Sequence, residues 1–312
     1  MNGADQPLVI GTRGSALARA QTEMVEQALR AAWPDLVIEI KIIKTSGDET
    51  ARSSAEPVDR RAGRKGMFTA EIERALLAEE IDLAVHSAKD FPSEETPGLE
   101  ICSVLPRGPV EDVLIMKAPG DFVSLRAGAI VATGSVRRAY QLKAKRADLR
   151  IADVRGNVPT RLRKLVESDW DALVLARAGL ERLGFEPARQ IIQFEGIKLS
   201  TELLSDLVPA GGQGIIALQA RSEDEKTKQF IERVNHAETF LCLQAEREFL
   251  RLLHGDCDSP VGVLATITAS AMKLRAEVFE PESRVYRSGE VNGNPEQHES
   301  LAAELIRQIN GG

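Results

Sequence analysis

A single acid, Asp90, stands among basic residues that follow the predicted strands. Arg13 comes shortly after the apolar run 8–10, and Lys89 comes shortly after the apolar run 81–85. Ligands of open α/β sheets bind outside the carboxyl ends of the strands, where such residues gather. Basic side chains, guanidinium groups above all, pair with carboxylates and phosphates. The spacing therefore predicts a site for a ligand with several anionic groups, in which Asp90 orients N–H donors or stabilises developing positive charge.

Further arginines follow two later strands. Arg137 and Arg138 come just after Ser135, in the first turn of a predicted helix, and Arg155 and Arg161 follow the next strand. Helix N-termini disfavour cations by about 0.3–1 kcal/mol each, and such a violation of local preference points to function, so a ligand anion is expected there. Each arginine taken alone has the alternative of a solvated or ion-paired surface residue. Together, in a chain of net charge -7, they indicate a local anion site.

Cys257 lies on a predicted turn between two aspartates. These acids raise a thiol pKa rather than lower it, which counts against the nucleophile of a cysteine hydrolase, for which His254 is the only neighbouring base. A thiol that is modified once, as an attachment point, tolerates such surroundings better. The other two cysteines, Cys102 and Cys242, lie in apolar strand and helix patterns.

The composition excludes several other classes of protein. The 312 residues carry 40 Lys and Arg against 47 Asp and Glu, which disfavours sequence-independent binding to nucleic acid. The three cysteines form no CxxC pair and the four histidines show no metal-ligand spacing, so no metal site is expected. No glycine-rich phosphate loop follows a strand. No run approaches the ~18 apolar residues that span a bilayer, and the start of the chain lacks a basic signal region, so a cytoplasmic protein without a membrane partner is expected.

The elements that position these residues alternate between strand and helix. Hydrophobic periodicity predicts strands near 8–10, 37–43, 81–85, 130–132, 151–154 and 172–175, with helices after 15, over 72–77, over 136–145 and over 160–166. This alternation predicts two α/β lobes, each with a mainly parallel sheet. The polar stretch 46–64 interrupts the first lobe as a lid or a disordered loop. The loop 208–214 is either a crossing between the lobes or an ordinary turn.

The last part of the chain has a different pattern. It predicts a helix over 237–253, strands over 261–268, 273–279 and 285–291, and a closing helix over 299–309. This is the pattern of a small α+β domain. The expected division is a first lobe of residues 1–107 and 207–223, a second lobe of residues 108–206, and a C-terminal domain of residues 224–312.

Six ordered segments between residue 8 and about residue 266 resemble the porphobilinogen deaminase (hydroxymethylbilane synthase) family. The segments are 10–13, 65–69, 82–90, 155–162, 178–184 and 209–214. The resemblance implies a transferase that condenses four porphobilinogen molecules head to tail into hydroxymethylbilane, with release of ammonia. It implies a dipyrromethane primer that is held by a thioether to Cys257. It also implies that Asp90 contacts pyrrole N–H groups and stabilises the cationic azafulvene formed as ammonia leaves.

The resemblance also implies the remaining site residues and the architecture. For the cofactor it implies Lys89, Ser135, Arg137, Arg138 and Arg155, and for the substrate Arg13, Ser15, Lys65, Arg161 and Arg182. The fold implied has two lobes like those of periplasmic binding proteins and a third domain that presents the cysteine. The partner implied is the small-molecule substrate, and a monomer is expected.

The chain departs from the family pattern at four places. Arg64 replaces a glycine before the motif lysine, Gly134 stands where a serine is usual, Asp256 replaces the glycine before the cysteine, and the segment 105–112 lacks the usual order of residues. The competing class is a non-enzymatic protein whose two lobes clamp a dicarboxylate. Cys257 and Asp90 favour the enzyme, because a binding protein needs no tethering thiol.

Overall fold

The computed structural model describes residues 7–44, 69–92, 94–253, 260–280 and 285–311. Lys65, Cys257 and the stretch 46–64 lie outside the described residues. The chain divides into two compact units, Met1–Arg107 with Ile215–Leu241 and Gly108–Gly214 with Cys242–Gly312. The division after Gly214 falls at the end of the loop 208–214. No helix in the described ranges is long and apolar enough to cross a membrane.

Strands and helices alternate through most of the described chain. The strands are β1 (Leu8–Arg13), β2 (Ile38–Ile43), β3 (Leu83–Ser87), β4 (Leu99–Val104), β5 (Asp112–Met116), β6 (Ile130–Ala132), β7 (Arg150–Ala152), β8 (Ala172–Ala176), β9 (Ile191–Phe194), β10 (Ile197–Leu204), β11 (Ile216–Arg221), β12 (Val261–Thr268), β13 (Ala271–Phe279) and β14 (Tyr286–Gly293). The α-helices are α1 (Ala16–Ala32), α2 (Ala70–Leu77), α3 (Val136–Lys145), α4 (Val158–Glu167), α5 (Arg177–Glu181), α6 (Glu225–Glu232), α7 (Ala237–Leu252) and α8 (His298–Gly311). The α/β class and the strands and helices predicted from periodicity are confirmed, with boundaries shifted by a few residues.

The first unit contains a five-stranded sheet in the order β2-β1-β3-β11-β4. β1 pairs in parallel with β2 and β3, whereas β11 is antiparallel to β3 and β4. Helix α1 begins after Ser15, whose side chain accepts a hydrogen bond from the amide of Ala18, and it buries Val25 and Leu29 against one face. Helix α2 covers the other face. The sheet is therefore enclosed on both sides.

The second unit contains a six-stranded sheet in the order β7-β6-β8-β5-β10-β9 and a three-stranded sheet of β12, β13 and β14. β6 is parallel to β7 and β8, and the other pairings are antiparallel. β5 is buried on both faces, since Val113 and Ile115 enter one core cluster and Leu114 and Met116 enter another. The closing helix α8 buries Leu301 and Leu305.

Both large sheets are mixed, so the expectation of mainly parallel sheets holds only for β1–β3 and for β6–β8. In the first sheet the reversed strand is β11, which is antiparallel to β3 and β4, and in the second sheet β5 is antiparallel to β8 and β10. The predicted half-buried face of β2 also differs, because Ile40 is 42% exposed and Ile42 is 51% exposed. β2 is an edge strand, and the described part of the chain leaves this face uncovered.

Candidate functional site

A cleft lies in the first unit at the carboxyl ends of β1 and β3. These two strands are adjacent and parallel, with Ile10 opposite Leu83, so the residues that follow them meet at one edge of the sheet. The cleft is lined by Arg13, Ser15, Leu17, Ala18, Gln21, Thr69, Val85, His86, Ser87 and Asp90. Three of the predicted site residues, Arg13, Ser15 and Asp90, are thus brought together.

Asp90 ends a short 3-10 turn, Ala88–Asp90, that directly follows β3. Its side chain is exposed, while Phe91, the next residue, is buried and anchors the turn. Lys89 lies on the same turn and is half-buried. An exposed carboxylate on an anchored turn is able to meet a ligand without first losing a buried partner.

The wall of the cleft is held by a reciprocal pair between α1 and β3. Gln21 Nε2 donates to Ser87 Oγ at 2.8 Å, and Ser87 Oγ donates to Gln21 Oε1 at 3.0 Å. Below them, His86 Nε2 is 3.0 Å from Gln219 Oε1. Burial lowers the pKa of His86 to about 4, the hydrogen bond to Gln219 opposes this shift, and the charge of Arg13 adds to it. The imidazole is therefore neutral at neutral pH.

In the second unit the predicted site residues follow β6, β7 and β8, which are neighbouring parallel strands. Ser135 caps α3 by accepting a hydrogen bond from the amide of Arg138 at 3.5 Å. Arg155 is exposed and 3.4 Å from Asp153. Arg161 Nε donates to the carbonyl of Gly156 at 2.6 Å.

Arg182 follows β8 and donates to the carbonyl of Gly214 at 2.6 Å. Burial lowers the pKa of Arg182 to about 10, so the group keeps its charge at neutral pH. Among the described residues it makes no ion pair with a carboxylate. A half-buried cation that is bonded to a carbonyl rather than to a carboxylate favours an anionic ligand.

Arg137 and Arg138 are arranged differently from the sequence-based expectation. Both are buried, at 3% and 5% exposure, and both bind the carboxylate of Asp112, itself 1% exposed. Arg137 Nη2 is 2.8 Å from Oδ2, and Arg138 Nη2 is 2.8 Å from Oδ1. Asp112 thus supplies the anion that the cations in the first turn of α3 require. The expectation that these two arginines require a ligand anion is wrong, because Asp112 compensates their charges.

Asp112 and its partner Gln213 were not predicted from the sequence; Gln213 Nε2 donates to Asp112 Oδ1 at 2.9 Å. Burial alone raises the pKa of the Asp112 carboxyl, but the charges of Arg137 and Arg138 outweigh burial and hold the pKa well below its ordinary value. A signal was present, because an acid at the start of the apolar run 113–116 is buried only with a cationic partner.

The departure at Gly134 has a local explanation. A Cβ atom at this position would lie 2.5 Å from the carbonyl oxygen of Val154. The backbone following β6 therefore approaches Val154, which follows β7, too closely for a side chain at residue 134.

Two of the three cysteines lie within the described residues. Cys102 is on β4, where burial and the charge of Glu100 raise its pKa to about 12. Cys242 is buried on α7. Cys102 therefore lacks the acidity of a reactive thiol, and Cys242 lacks the exposure of one.

The donor set of the second unit fits a ligand with several carboxylates. Arg155, Arg161, Arg182 and the Ser135 hydroxyl are donors, and the buried Nε of Arg137 has no hydrogen-bond partner among the described residues. In the described ranges no three side chains of His, Cys, Asp or Glu are grouped to hold a metal ion.

Comparison with known proteins gives a consistent result along the chain. Residues 8–229 match the family model "Porphobilinogen deaminase, dipyromethane cofactor binding domain", and residues 240–310 match "Porphobilinogen deaminase, C-terminal domain". Porphobilinogen deaminase of Syntrophomonas wolfei is 41% identical over 308 residues, covering 97% of this chain and 94% of that protein. The protein of that name from Chloroherpeton thalassium is 43% identical over 303 residues, covering 97% of this chain and 89% of that protein.

The comparison with solved structures finds two ligand-binding proteins, among others. The methionine binding protein MetQ has a TM-score of 0.43 at 13% identity, covering 75% of this chain and 91% of that one. The aliphatic sulphonate binding protein SsuA of Escherichia coli has a TM-score of 0.41 at 17% identity, covering 80% of this chain and 71% of that one. The two family models and the near full-length relatives establish that the chain belongs to the porphobilinogen deaminase family, transferases of tetrapyrrole biosynthesis that condense four porphobilinogen molecules into hydroxymethylbilane on a dipyrromethane cofactor.

Proposed function

We propose that the cleft of the first unit binds porphobilinogen and that Asp90 is its catalytic residue. The observation that carries this proposal is the exposed Asp90 carboxylate on an anchored turn, in a cleft that also holds Arg13 and Ser15. Arg13 is suited to a carboxylate arm of the substrate, and the Ser15 hydroxyl to a further hydrogen bond. Lys65, Arg161 and Arg182 complete the proposed substrate-binding set.

The proposed role of Asp90 is electrostatic. As ammonia leaves, positive charge builds on the pyrrole ring of the substrate. A fixed carboxylate lowers the barrier if it interacts more strongly with this developing charge than with the neutral ring. Asp90 is suited to this task because its carboxylate is exposed, so no buried ion pair has to break before it meets the substrate.

The cofactor is proposed to be attached to Cys257. Of the two described cysteines, Cys242 is buried, and the raised pKa of Cys102 keeps its thiol protonated. When bound, the dipyrromethane supplies the terminal pyrrole on which the chain grows. Lys89, Ser135 and Arg155 hold its carboxylates as donors. Arg137 and Arg138 contribute through the N–H groups that Asp112 does not engage, such as the Nε of Arg137.

We also propose that the protein acts as a cytoplasmic monomer, without a nucleic acid or membrane partner. Its net charge of -7 supports the absence of a nucleic acid partner. The division into residues 1–107 with 207–223, 108–206 and 224–312 belongs to the same proposal. Light scattering at assay concentration would test the monomer, with a mass near 34.0 kDa expected.

Single-turnover release of ammonia tests the role of Asp90. Wild type, Asp90→Asn and Asp90→Glu are compared at equal cofactor occupancy, with Glu95→Gln as a control on an exposed acid nearby. Asp90→Asn keeps the size but loses the charge, so its turnover is expected to collapse, while Asp90→Glu retains more activity. If Asp90→Asn matched wild type or exceeded Asp90→Glu, the electrostatic role would be refuted.

A further inference from the structure

His86 is a buried titratable group at the cleft to which the proposed function gives no role. It lies on β3 next to Ser87, and its imidazole packs edge-to-face against Phe91, with ring centroids 5.1 Å apart. Its side chain shares the face of the sheet occupied by Ala84, which belongs to the core under α2. His86 is thus held between α2 and the turn that carries Asp90.

A chain of hydrogen bonds determines which nitrogen of His86 carries the proton. Glu73, on α2, accepts from Thr96 Oγ1 at 2.9 Å and from Gln219 Nε2 at 3.0 Å. Because a carboxylate only accepts, the amide nitrogen of Gln219 faces Glu73 and its oxygen faces His86. His86 Nε2 must therefore donate to Gln219 Oε1. This leaves Nδ1 with a lone pair.

Burial, helped by the charge of Arg13, keeps the ring neutral, and the hydrogen bond at Nε2 leaves Nδ1 available. Arg13 on β1 and Asp90 on the turn after β3 line the same cleft, and Glu73 on α2 is linked to the ring through Gln219. Among the described residues, Nδ1 of His86 has no hydrogen-bond partner, although the ring lines the cleft. The buried hydroxyl of Thr69, on the same cleft, likewise lacks a partner within the described ranges. The floor of the cleft therefore retains unused polar groups beside an exposed carboxylate.

We propose that His86 binds the aminomethyl ammonium group of porphobilinogen, with Nδ1 accepting one of its N–H bonds beside the Asp90 carboxylate. This inference rests on the proposed function, because it assigns a subsite of the same cleft. A cationic substrate group requires neutral or anionic acceptors, and a protonated imidazole would repel it. The fixed Nε2–H tautomer provides the neutral acceptor, while Arg13 is left for a carboxylate arm.

Two variants of His86 separate substrate binding from a structural role. In His86→Gln the side-chain amide reaches the position of Nε2, so the bond to Gln219 is kept and the acceptor at Nδ1 is lost. In His86→Asn the amide reaches the position of Nδ1, so the acceptor is kept and Gln219 loses its partner. The readouts are the half-saturating porphobilinogen concentration in single turnover, inhibition by an analogue with methyl in place of aminomethyl, and the urea midpoint.

His86→Gln is expected to raise the half-saturating concentration about tenfold or more, because a hydrogen bond to a charged group is lost, and to leave inhibition by the methyl analogue unchanged. His86→Asn is expected to bind substrate like wild type and to unfold at lower urea concentration. The reverse order of the two variants, or equal weakening of substrate and analogue in His86→Gln, would overturn the proposal. A wild-type protein that released no ammonia in the same assay would refute the proposed function instead.

Discussion

The carboxylate of Asp112 and the guanidinium of Arg138 form a buried ion pair in which a single oxygen, Oδ1, accepts from Nε at 3.0 Å and from Nη2 at 2.8 Å. The second oxygen accepts from Arg137. The pair joins the start of β5 to the first turn of α3. The carboxylate of Asp112 thereby fixes Arg137 and Arg138, which are proposed to face the cofactor.

Removing this shared carboxylate is expected to destabilise the second unit strongly. Asp112→Asn leaves two buried guanidinium groups without their counterion, which costs about 3–5 kcal/mol of unfolding free energy. Urea unfolding followed by the fluorescence of Trp170, in a Trp33→Phe background, measures this loss because Trp170 packs against the core of that unit. The control is Asp148→Asn, which removes the exposed partner of Arg146 and is expected to change stability far less. Equal effects of the two variants would contradict the assignment.

The stability of the first unit is expected to fall between about pH 6.5 and pH 4 because His86 is buried in the neutral form. Its folded pKa is lowered to about 4, so the stabilisation is complete above the unfolded pKa near 6.5 and is lost as pH falls. The expected loss between pH 7.5 and pH 4.5 is about 2–3 kcal/mol larger in wild type than in His86→Gln, which does not titrate. Fluorescence of Trp33 in a Trp170→Phe background reports on this unit. A pH dependence identical in both proteins would refute a neutral buried His86.

Arg155 offers a test of the cofactor site that is separate from folding. It is exposed and makes only a loose ion pair with Asp153, so Arg155→Ala is expected to leave the unfolding free energy unchanged. The rate at which unmodified protein gains the cofactor mass during incubation with porphobilinogen should fall about tenfold, as for the loss of a charged hydrogen bond. Arg163→Ala, an exposed arginine paired with Glu195, is the control. Loading at the wild-type rate in Arg155→Ala would remove Arg155 from the site.

Gly134 is expected to tolerate a serine poorly. The Cβ atom would meet the Val154 carbonyl at 2.5 Å, so Gly134→Ser should cost about 1–3 kcal/mol as an overpacked position. Gly311→Ser, where no atom lies within 4 Å of the added Cβ, is the control. Trp170 fluorescence during urea unfolding gives the comparison. A Gly134→Ser protein as stable as the control would contradict this expectation, because the backbone at residues 134 and 154 would then separate without cost.

Local patterns in the sequence predicted the elements that depend on local forces. The helix over 136–145 and the strand over 130–132 were predicted with the observed bounds, because a 3.6-residue period and a serine cap are properties of neighbouring residues. The antiparallel insertion of β11 between β3 and β4 was not predicted. Its pairing joins Ile216 to Ser87 across a long stretch of chain, and no short-range pattern encodes it.

The candidate site was predicted in part for the same reason. Arg13 and Asp90 were expected at one edge because adjacent parallel strands end together, and the cleft confirms that they meet. Other contacts join residues far apart in sequence. They are the ion pairs of Asp112 with Arg137 and Arg138, and the hydrogen bonds that link Thr96, Glu73, Gln219 and His86. Such partners become visible only when the sheet is assembled.

The covalent state of the purified protein tests the central claim, that this chain builds its product on a dipyrromethane held by Cys257. Intact-protein mass spectrometry is expected to show one adduct with the mass of two condensed pyrrole units, and peptide mapping should locate it on Cys257. Cys257→Ser should carry no adduct, whereas Cys102→Ser and Cys242→Ser should retain it. An unmodified, active wild-type chain, or an adduct that maps to Cys102 or Cys242, would contradict the account.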